Sequence, residues 1–334
     1  MEMTTIANTD IKASRIALGT WAIGGAMWGG TDEKKSVETI LEALNMGINT
    51  IDTAPAYGLG KSEEIVGEAI RQYGKRDKVV LSTKVALDWN RDGELFRNAT
   101  GTRIEKEIDD SLKRLNTDYI DVYHVHWPDP KTAIQETAHS MKHLLDKGKI
   151  RSISVSNFSI EQMDEFRKYA PLHGLQPPYN LFEREIEKDI LPYTMKNEIT
   201  TFLYGSLCRG LLSGKMSKSR EFVGDDLRNN DPKFQGDRFT KYLEAVDQLD
   251  KYAKKHYDKQ VIHLAVRWIL DQPGADIALW GARKPSQLDA VKEIMDWKLD
   301  DTAKKDIDEI LNLTIKDPVG PEFMAPPTRD KVKK

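Results

Sequence analysis

Four residues in this sequence have the types and spacing to put a proton on an oxygen: Asp52, Tyr57, Lys84 and His126. Asp52 ends an apolar run within Asn49-Thr-Ile-Asp-Thr-Ala-Pro-Ala-Tyr-Gly58, and Tyr57 follows in the loop that Pro55 opens. Lys84 ends Val79-Val-Leu-Ser-Thr-Lys84, and His126 ends Tyr119-Ile-Asp-Val-Tyr-His-Val-His126. A phenol, with an ordinary pKa of about 10, is suited to donating a proton at neutral pH, and a nearby cation favours the phenolate and lowers that pKa. Lys84 can supply the cation, held in turn by Asp52, while His126 hydrogen-bonds a substrate oxygen toward Tyr57. The set reads as a proton donor aimed at an oxygen that turns negative as hydride reaches its carbon. No metal is needed. Singly, each residue has a plainer reading: a turn or cap aspartate, a packed loop tyrosine, a solvated lysine. Only the four together outweigh those readings.

The elements that must position them follow from hydrophobic periodicity. Val37, Ile40, Leu41 and Leu44 lie at helical spacing, as do Ile104, Ile108, Leu112 and Leu115, and again Ile134, Ala138, Met141 and Leu145. Ser62-Glu-Glu reads as the cap and acidic first turn of a helix to about Tyr73. Short apolar runs separate the helices: Ile16–Leu18, Ile48–Asp52, Lys78–Lys84, Tyr119–His126, Ile150–Val155, one ending at Gln176, Thr200–Tyr204 and Asp276–Trp280. Residues 88–101 read as a polar excursion. Further helices are expected near 187–196, 242–256, 261–270 and 302–313, and another after Pro285. Eight strands alternating with helices predict an α/β fold, a closed (β/α)8 TIM barrel with one domain over 1–334. In such a barrel the strand ends that carry Asp52, Lys84 and His126 converge on one face. The glycines Gly24-Gly25 and Gly29-Gly30 do not form the G-x-G-x-x-G of a dinucleotide-binding sheet. A long loop of about 205–239 and a flexible, proline-rich tail of about 318–334 complete the chain.

Composition narrows the class. Of 334 residues, 39% are apolar and 31% charged, and the net charge is −3, which gives no general attraction to nucleic acid or an acidic membrane. No apolar run approaches the ~20 residues that span a bilayer. The amino terminus lacks a secretory signal, and the lone Cys208 fits a reducing cytoplasm. His124 and His126 form an H-x-H whose period of two puts both side chains on one face. That pair could hold a metal in a barrel hydrolase. No other histidine cluster has strand-end placement, and the expectation is no metal.

These stretches together resemble the aldo-keto reductase family. The resemblance runs from Leu18-Gly-Thr-Trp21 to Gln287, through Ile51-Asp-Thr-Ala-Pro-Ala-Tyr57, Ser82-Thr-Lys84, Tyr123-His-Val-His-Trp127, Ser156-Asn157-Phe158, Gln176-Pro-Pro-Tyr-Asn180 and Gly281-Ala-Arg-Lys-Pro-Ser-Gln287. Leu203-Tyr-Gly-Ser-Leu-Cys-Arg-Gly-Leu-Leu-Ser-Gly-Lys215 and Glu322-Phe-Met-Ala-Pro-Pro327 are most similar to the bacterial general stress protein type within it.

The resemblance implies a catalytic tetrad of Asp52, Tyr57, Lys84 and His126, with Tyr57 the acid in reduction and the base in oxidation. It implies that Ser156, Asn157 and Gln176 hydrogen-bond a nicotinamide carboxamide and that Tyr204 stacks on its ring. Thr20, Trp21 and Asp52 would also touch the cofactor. Gly205, Ser206, Leu207, Cys208, Arg209 and Lys215 would follow the pyrophosphate, with Arg228 closing over it. Gly281, Ala282, Arg283 and Gln287 would hold the adenosine end. A guanidinium there suits a 2′-phosphate, so NADP (NADPH) is expected over NAD. Trp21, Trp28, Trp89 and Trp127 would line a pocket for an aldehyde, ketone or sugar-like polyol substrate, although Trp89 could equally pack its own loop.

Two positions depart from the family pattern. His124 stands where an amide is usual, and either shifts the pKa of His126 or fills space. Ser154 stands where glycine is usual. Cys208 reads as a small packed residue rather than a redox switch. The leading expectation is an NADP-dependent oxidoreductase. The rivals are a cofactor-sensing channel subunit, for which the sequence offers no extra N-terminal segment, and a metal hydrolase.

Overall fold

The computed structural model describes residues 1–332. Eight parallel strands close a barrel in sequence order: β1 (Ile16–Gly19), β2 (Thr50–Asp52), β3 (Val80–Val85), β4 (Val122–Val125), β5 (Ile153–Ser156), β6 (Gly174–Gln176), β7 (Thr200–Leu203) and β8 (Ile277–Gly281). The β8–β1 seam pairs Trp280 with Leu18 and Gly281 with Gly19. Helices α1 (Glu33–Asn45), α2 (Lys61–Tyr73), α3 (Gly101–Leu115), α4 (Ile134–Asp146), α5 (Ile160–Arg167) and α6 (Ile190–Lys196) each follow the matching strand; α7 (Gly236–Tyr257), α8 (Val261–Leu270) and α9 (Asp301–Thr314) complete the outer layer. The α/β barrel expected from the alternation is the fold observed.

Two apolar cores sit inside and outside the strands. The outer one packs helix faces such as Ile104, Ile108 and Leu115 of α3 against the barrel. Each fully buried aliphatic chain there contributes about 1.5–3 kcal/mol. The inner core fills the amino-terminal end of the barrel with Ala17, Val80, Val122, Phe202 and Ile277, plugged by Ile6 and Ile11. Those two residues belong to a hairpin (Met3–Thr5 with Lys12–Ser14) that the sequence reading missed. A dry floor therefore lies beneath the polar residues at the other end.

Local differences from expectation have physical causes. Gly60, at φ 99°, takes the cap position of α2, not Ser62, whose hydroxyl instead bonds Thr20 O and Thr53 Oγ1 inside the fold. The excursion 88–101 is a second hairpin, Leu87–Trp89 with Leu95–Arg97. α7 starts at Gly236, so the long connection ends sooner and contains three short 3-10 turns. Two 3-10 turns, not an α-helix, follow Lys284. The tail crosses the barrel mouth: Pro326 O and Pro327 O accept from Arg97 Nε and N at 2.8 and 3.0 Å, and Arg329 reaches Lys131 O at 2.7 Å. No described helix is long and apolar enough to cross a membrane.

Candidate active site

A cavity of about 1300 Å³ opens at the carboxyl ends of the strands. Asp52, at the end of β2, is 2% exposed, and its Oδ2 accepts from Lys84 Nζ at 2.7 Å. Lys84 is fully buried and also donates to Thr53 O at 2.9 Å. Ser82 Oγ and Gln176 Nε2 donate to the other oxygen, Oδ1, at 2.9 and 3.0 Å. Three side chains thus fix one carboxylate at the cavity floor. Tyr57 sits above the pair, with Lys84 Nζ 5.1 Å from its ring centroid, Trp21 stacked at 6.0 Å and His126 edge-on at 5.8 Å.

The loop that carries Tyr57 is held by close backbone approach. A Cβ on Gly24 would meet Tyr57 C and O at 2.7 Å, and one on Gly58 would meet Gly24 O at 2.2 Å. No side chain fits between the two segments, so the position of Tyr57 depends on a pair of glycines.

Electrostatics differ from the sequence expectation at one point. The Tyr57 phenol lies well above its ordinary pKa, because burial disfavours the phenolate and the Asp52 charge repels it. Lys84 was expected to lower it; its charge is compensated by Asp52 at 2.7 Å. Burial also lowers the Lys84 ammonium pKa, an effect that Asp52 opposes. Burial and the Lys84 charge hold His126 well below the usual histidine range, so its imidazole is neutral at pH 7.

Most of the other predicted residues line the same cavity: Trp21, Trp28, Trp127, Ser156, Asn157, Gln176, Tyr204, Gly205, Ser206, Leu207, Arg209, Lys215, Arg228, Gly281, Ala282, Arg283 and Gln287. Asn157, at φ 61°, donates to His126 O at 3.0 Å and accepts from the Tyr204 hydroxyl at 2.9 Å. Several side chains have other partners than a ligand. Arg209 is buried between Glu183 and Asp231. Arg228 pairs with Asp226 at 2.6 Å and lies over the Trp28 ring at 5.3 Å. Arg283 Nη1 donates to Trp28 O at 2.8 Å and Gly30 O at 3.1 Å. Asp225 accepts from Met27 N at 2.6 Å on the opposite side. The segment around Trp28 is thereby clamped from both sides across the groove.

Four predicted residues lie outside the cavity lining, one of them Lys84, sealed beneath it against Asp52. Thr20 is fully buried and bonds Asp52 O and Ser62 Oγ at 2.9 and 2.8 Å. The Cys208 side chain is also fully buried, which pushes its thiol up to about 12. Trp89 stacks under the Arg103 guanidinium at 5.2 Å on its own hairpin. The sequence reading missed Met27, Leu59, Lys284, Phe323 and Met324, which do line the cavity. It also missed Ser82, for which a signal existed: Ser82 and Lys84 stand two apart on β3, the same spacing as His124 and His126.

His124 and Ser154, the two departures from the family pattern, are register partners on β4 and β5. His124 Nε2 lies 2.8 Å from Ser82 Oγ. Among the described residues no group of three or more His, Cys, Asp or Glu side chains could hold a metal.

Residues 15–312 match the aldo/keto reductase family model. Over 332 residues the chain is 68% identical to the aldo-keto reductase YhdN of Bacillus subtilis (strain 168), covering 99% of this chain and 100% of that one. It is 37% identical over 302 residues to the NADH-specific methylglyoxal reductase of Escherichia coli (strain K12), across 86% and 91% of the two chains. The solved glycerol dehydrogenase AKR11B4 from Gluconobacter oxydans matches with a TM-score of 0.88 at 52% identity, over 97% of this chain and 99% of that one. With the family model spanning the whole barrel, the chain belongs to the aldo-keto reductases, oxidoreductases that interconvert carbonyl compounds and alcohols.

Proposed function

We propose that this protein is an NADPH-dependent reductase of small aldehydes, ketones or sugar-like carbonyls, with Tyr57 as the general acid. The observation that carries the reading is the buried Lys84–Asp52 pair, 2.7 Å apart, directly beneath Tyr57 and His126 at the floor of a cavity that extends past Arg283. When bound, the reduced dinucleotide supplies the hydride. Tyr57 donates its hydroxyl proton to the carbonyl oxygen as charge develops there, and solvent later returns that proton. Neutral His126 orients the oxygen through a ring N–H. Lys84 stabilises the phenolate left behind, and Asp52 keeps the ammonium charged in its dry site. The high phenol pKa keeps the acid loaded at neutral pH, which suits reduction. In oxidation Tyr57 takes the proton back.

The donor set fits the cofactor. Asn157 and Gln176 present amides beside Tyr204, and Lys215, Arg228, Arg283 and Lys284 line the groove. Arg283, now bonded to the carbonyls of Trp28 and Gly30, would hold a 2′-phosphate through its guanidinium. The E. coli relative, named for NADH, makes this preference the point to measure. The apolar and indole lining, with relatives named for glycerol and methylglyoxal, supports a small oxygenated substrate. Tyr57→Phe tests the assignment: dinucleotide binding, followed by tryptophan quenching, stays within about threefold, while turnover falls ~10²–10⁴-fold. A Phe variant that keeps most of its rate sinks the acid assignment.

A further inference from the structure

We infer that His124 and Ser82 form a positioning relay beneath the site, in which His124 fixes the Ser82 hydroxyl and Ser82 fixes the Asp52 carboxylate against Lys84. The inference rests on the reading of Asp52, Lys84 and Tyr57 given above. Proton counting carries it. The Asp52 carboxylate can only accept, and it takes Lys84 Nζ on Oδ2 and the Ser82 and Gln176 donors on Oδ1. Ser82 has one hydroxyl proton, and that proton points at Asp52. Toward His124, 2.8 Å away, Ser82 Oγ can therefore only accept. The His124 hydrogen must sit on Nε2.

The remaining nitrogen agrees. His124 is fully buried and its Nδ1 has no protein partner. An unpaired acceptor at Nδ1 costs less than a second N–H would, because that proton would make a buried cation facing Lys84 and His126. Burial and those two neighbours accordingly hold the imidazole well below its ordinary pKa. Phe202 packs edge-on against the ring at 5.3 Å and 88°, which fixes its plane. Hydrogen bonds in such a chain polarise one another, so the His124 donor strengthens the Ser82–Asp52 bond. A space filler would need none of this geometry.

The test uses the protein and five variants assayed for carbonyl reduction. His124→Leu keeps an apolar side chain of similar bulk without a donor; Ser82→Ala removes the next link. Each is expected to lower kcat about tenfold, with substrate KM and dinucleotide affinity within about threefold. The double variant is expected to be no slower than either single one, because the two act in series. His124→Gln, whose amide can donate to Ser82, recovers most of the rate. Full activity in His124→Leu, or losses that multiply in the double variant, overturns the relay. Should His124→Leu fail to fold, nitrogen-15 spectra of the histidine-labelled native protein decide, with His124→Gln assigning the resonance. Nε2–H with bare Nδ1, unchanged from about pH 5 to 8, supports the relay; the other tautomer overturns it. Tyr57→Phe separates the two readings. If it stays active, both fall; if it is inactive while His124→Leu is unaffected, only the relay falls.

Discussion

Replacing Lys84 by Met removes the charge that compensates Asp52 through a direct contact, and the structure sets the size of the effect. Both side chains are essentially sealed from water, 0% and 3% exposed, with 2.7 Å between Nζ and Oδ2. Breaking such a pair leaves an uncompensated buried carboxylate and costs about 3–5 kcal/mol. Unfolding entropy of about 2.1 cal/mol/K per residue gives ~0.7 kcal/mol/K for 334 residues, so the melting temperature should fall by about 4–7 °C. Adding Asp52→Asn removes the stranded charge while an amide oxygen still accepts from Ser82, and should restore most of the loss. Neither the single nor the double variant should turn over at more than ~10⁻³ of the native rate. Differential scanning calorimetry beside a reduction assay reads both quantities. An unchanged melting temperature in Lys84→Met, or no recovery in the double variant, refutes the account of a desolvated pair.

Other consequences are equally open to measurement. Gly24→Ala must push the Tyr57 backbone away, and a shift of about 1 Å should cost ~10²-fold in kcat with dinucleotide affinity nearly unchanged. Equal losses in both would show that the glycine serves the groove instead. Arg283→Ala should weaken NADPH binding ~10–100-fold and NADH binding less than about threefold, by fluorescence titration. Parallel losses would mean that its bonds to Trp28 and Gly30 are its whole role. His124 refuses a proton that the unfolded imidazole accepts, so its contribution is full above about pH 6.5 and is lost as pH falls. Urea unfolding should show stability dropping up to ~1.4 kcal/mol per pH unit below that point, and His124→Gln should reduce the slope by one proton. An unchanged slope would contradict the buried neutral imidazole.

The barrel was legible because each β/α unit carries its own period, and the strand ends that hold Asp52, Lys84 and His126 needed only a parallel sheet to bring them together. What was not legible depended on partners far away in sequence. The hairpin at Leu87–Trp89 and Leu95–Arg97 has strands of only three residues, too short for a period to stand out from the polar residues between them, and it pairs with the tail through Arg97 and Thr328. Cationic side chains looked alike in the sequence, yet Arg209 is enclosed by Glu183 and Asp231 while Lys215 is exposed. The sign of the Tyr57 shift could not be read from neighbours alone, because it is set first by how deeply the fold buries the phenol and then by the Asp52 charge. His124 read as filler until its distance to Ser82 gave it a direction.

The tail has a consequence in time as well as in space. Phe323, Met324, Pro326 and Pro327 wall the cavity, yet they are translated well after β8 has supplied the last stave of the barrel. A nascent chain can thus bring Asp52, Lys84, Tyr57 and His126 together while this part of the cavity wall is still missing. That part of the wall is added after the staves, and its residues can change without altering a single barrel strand.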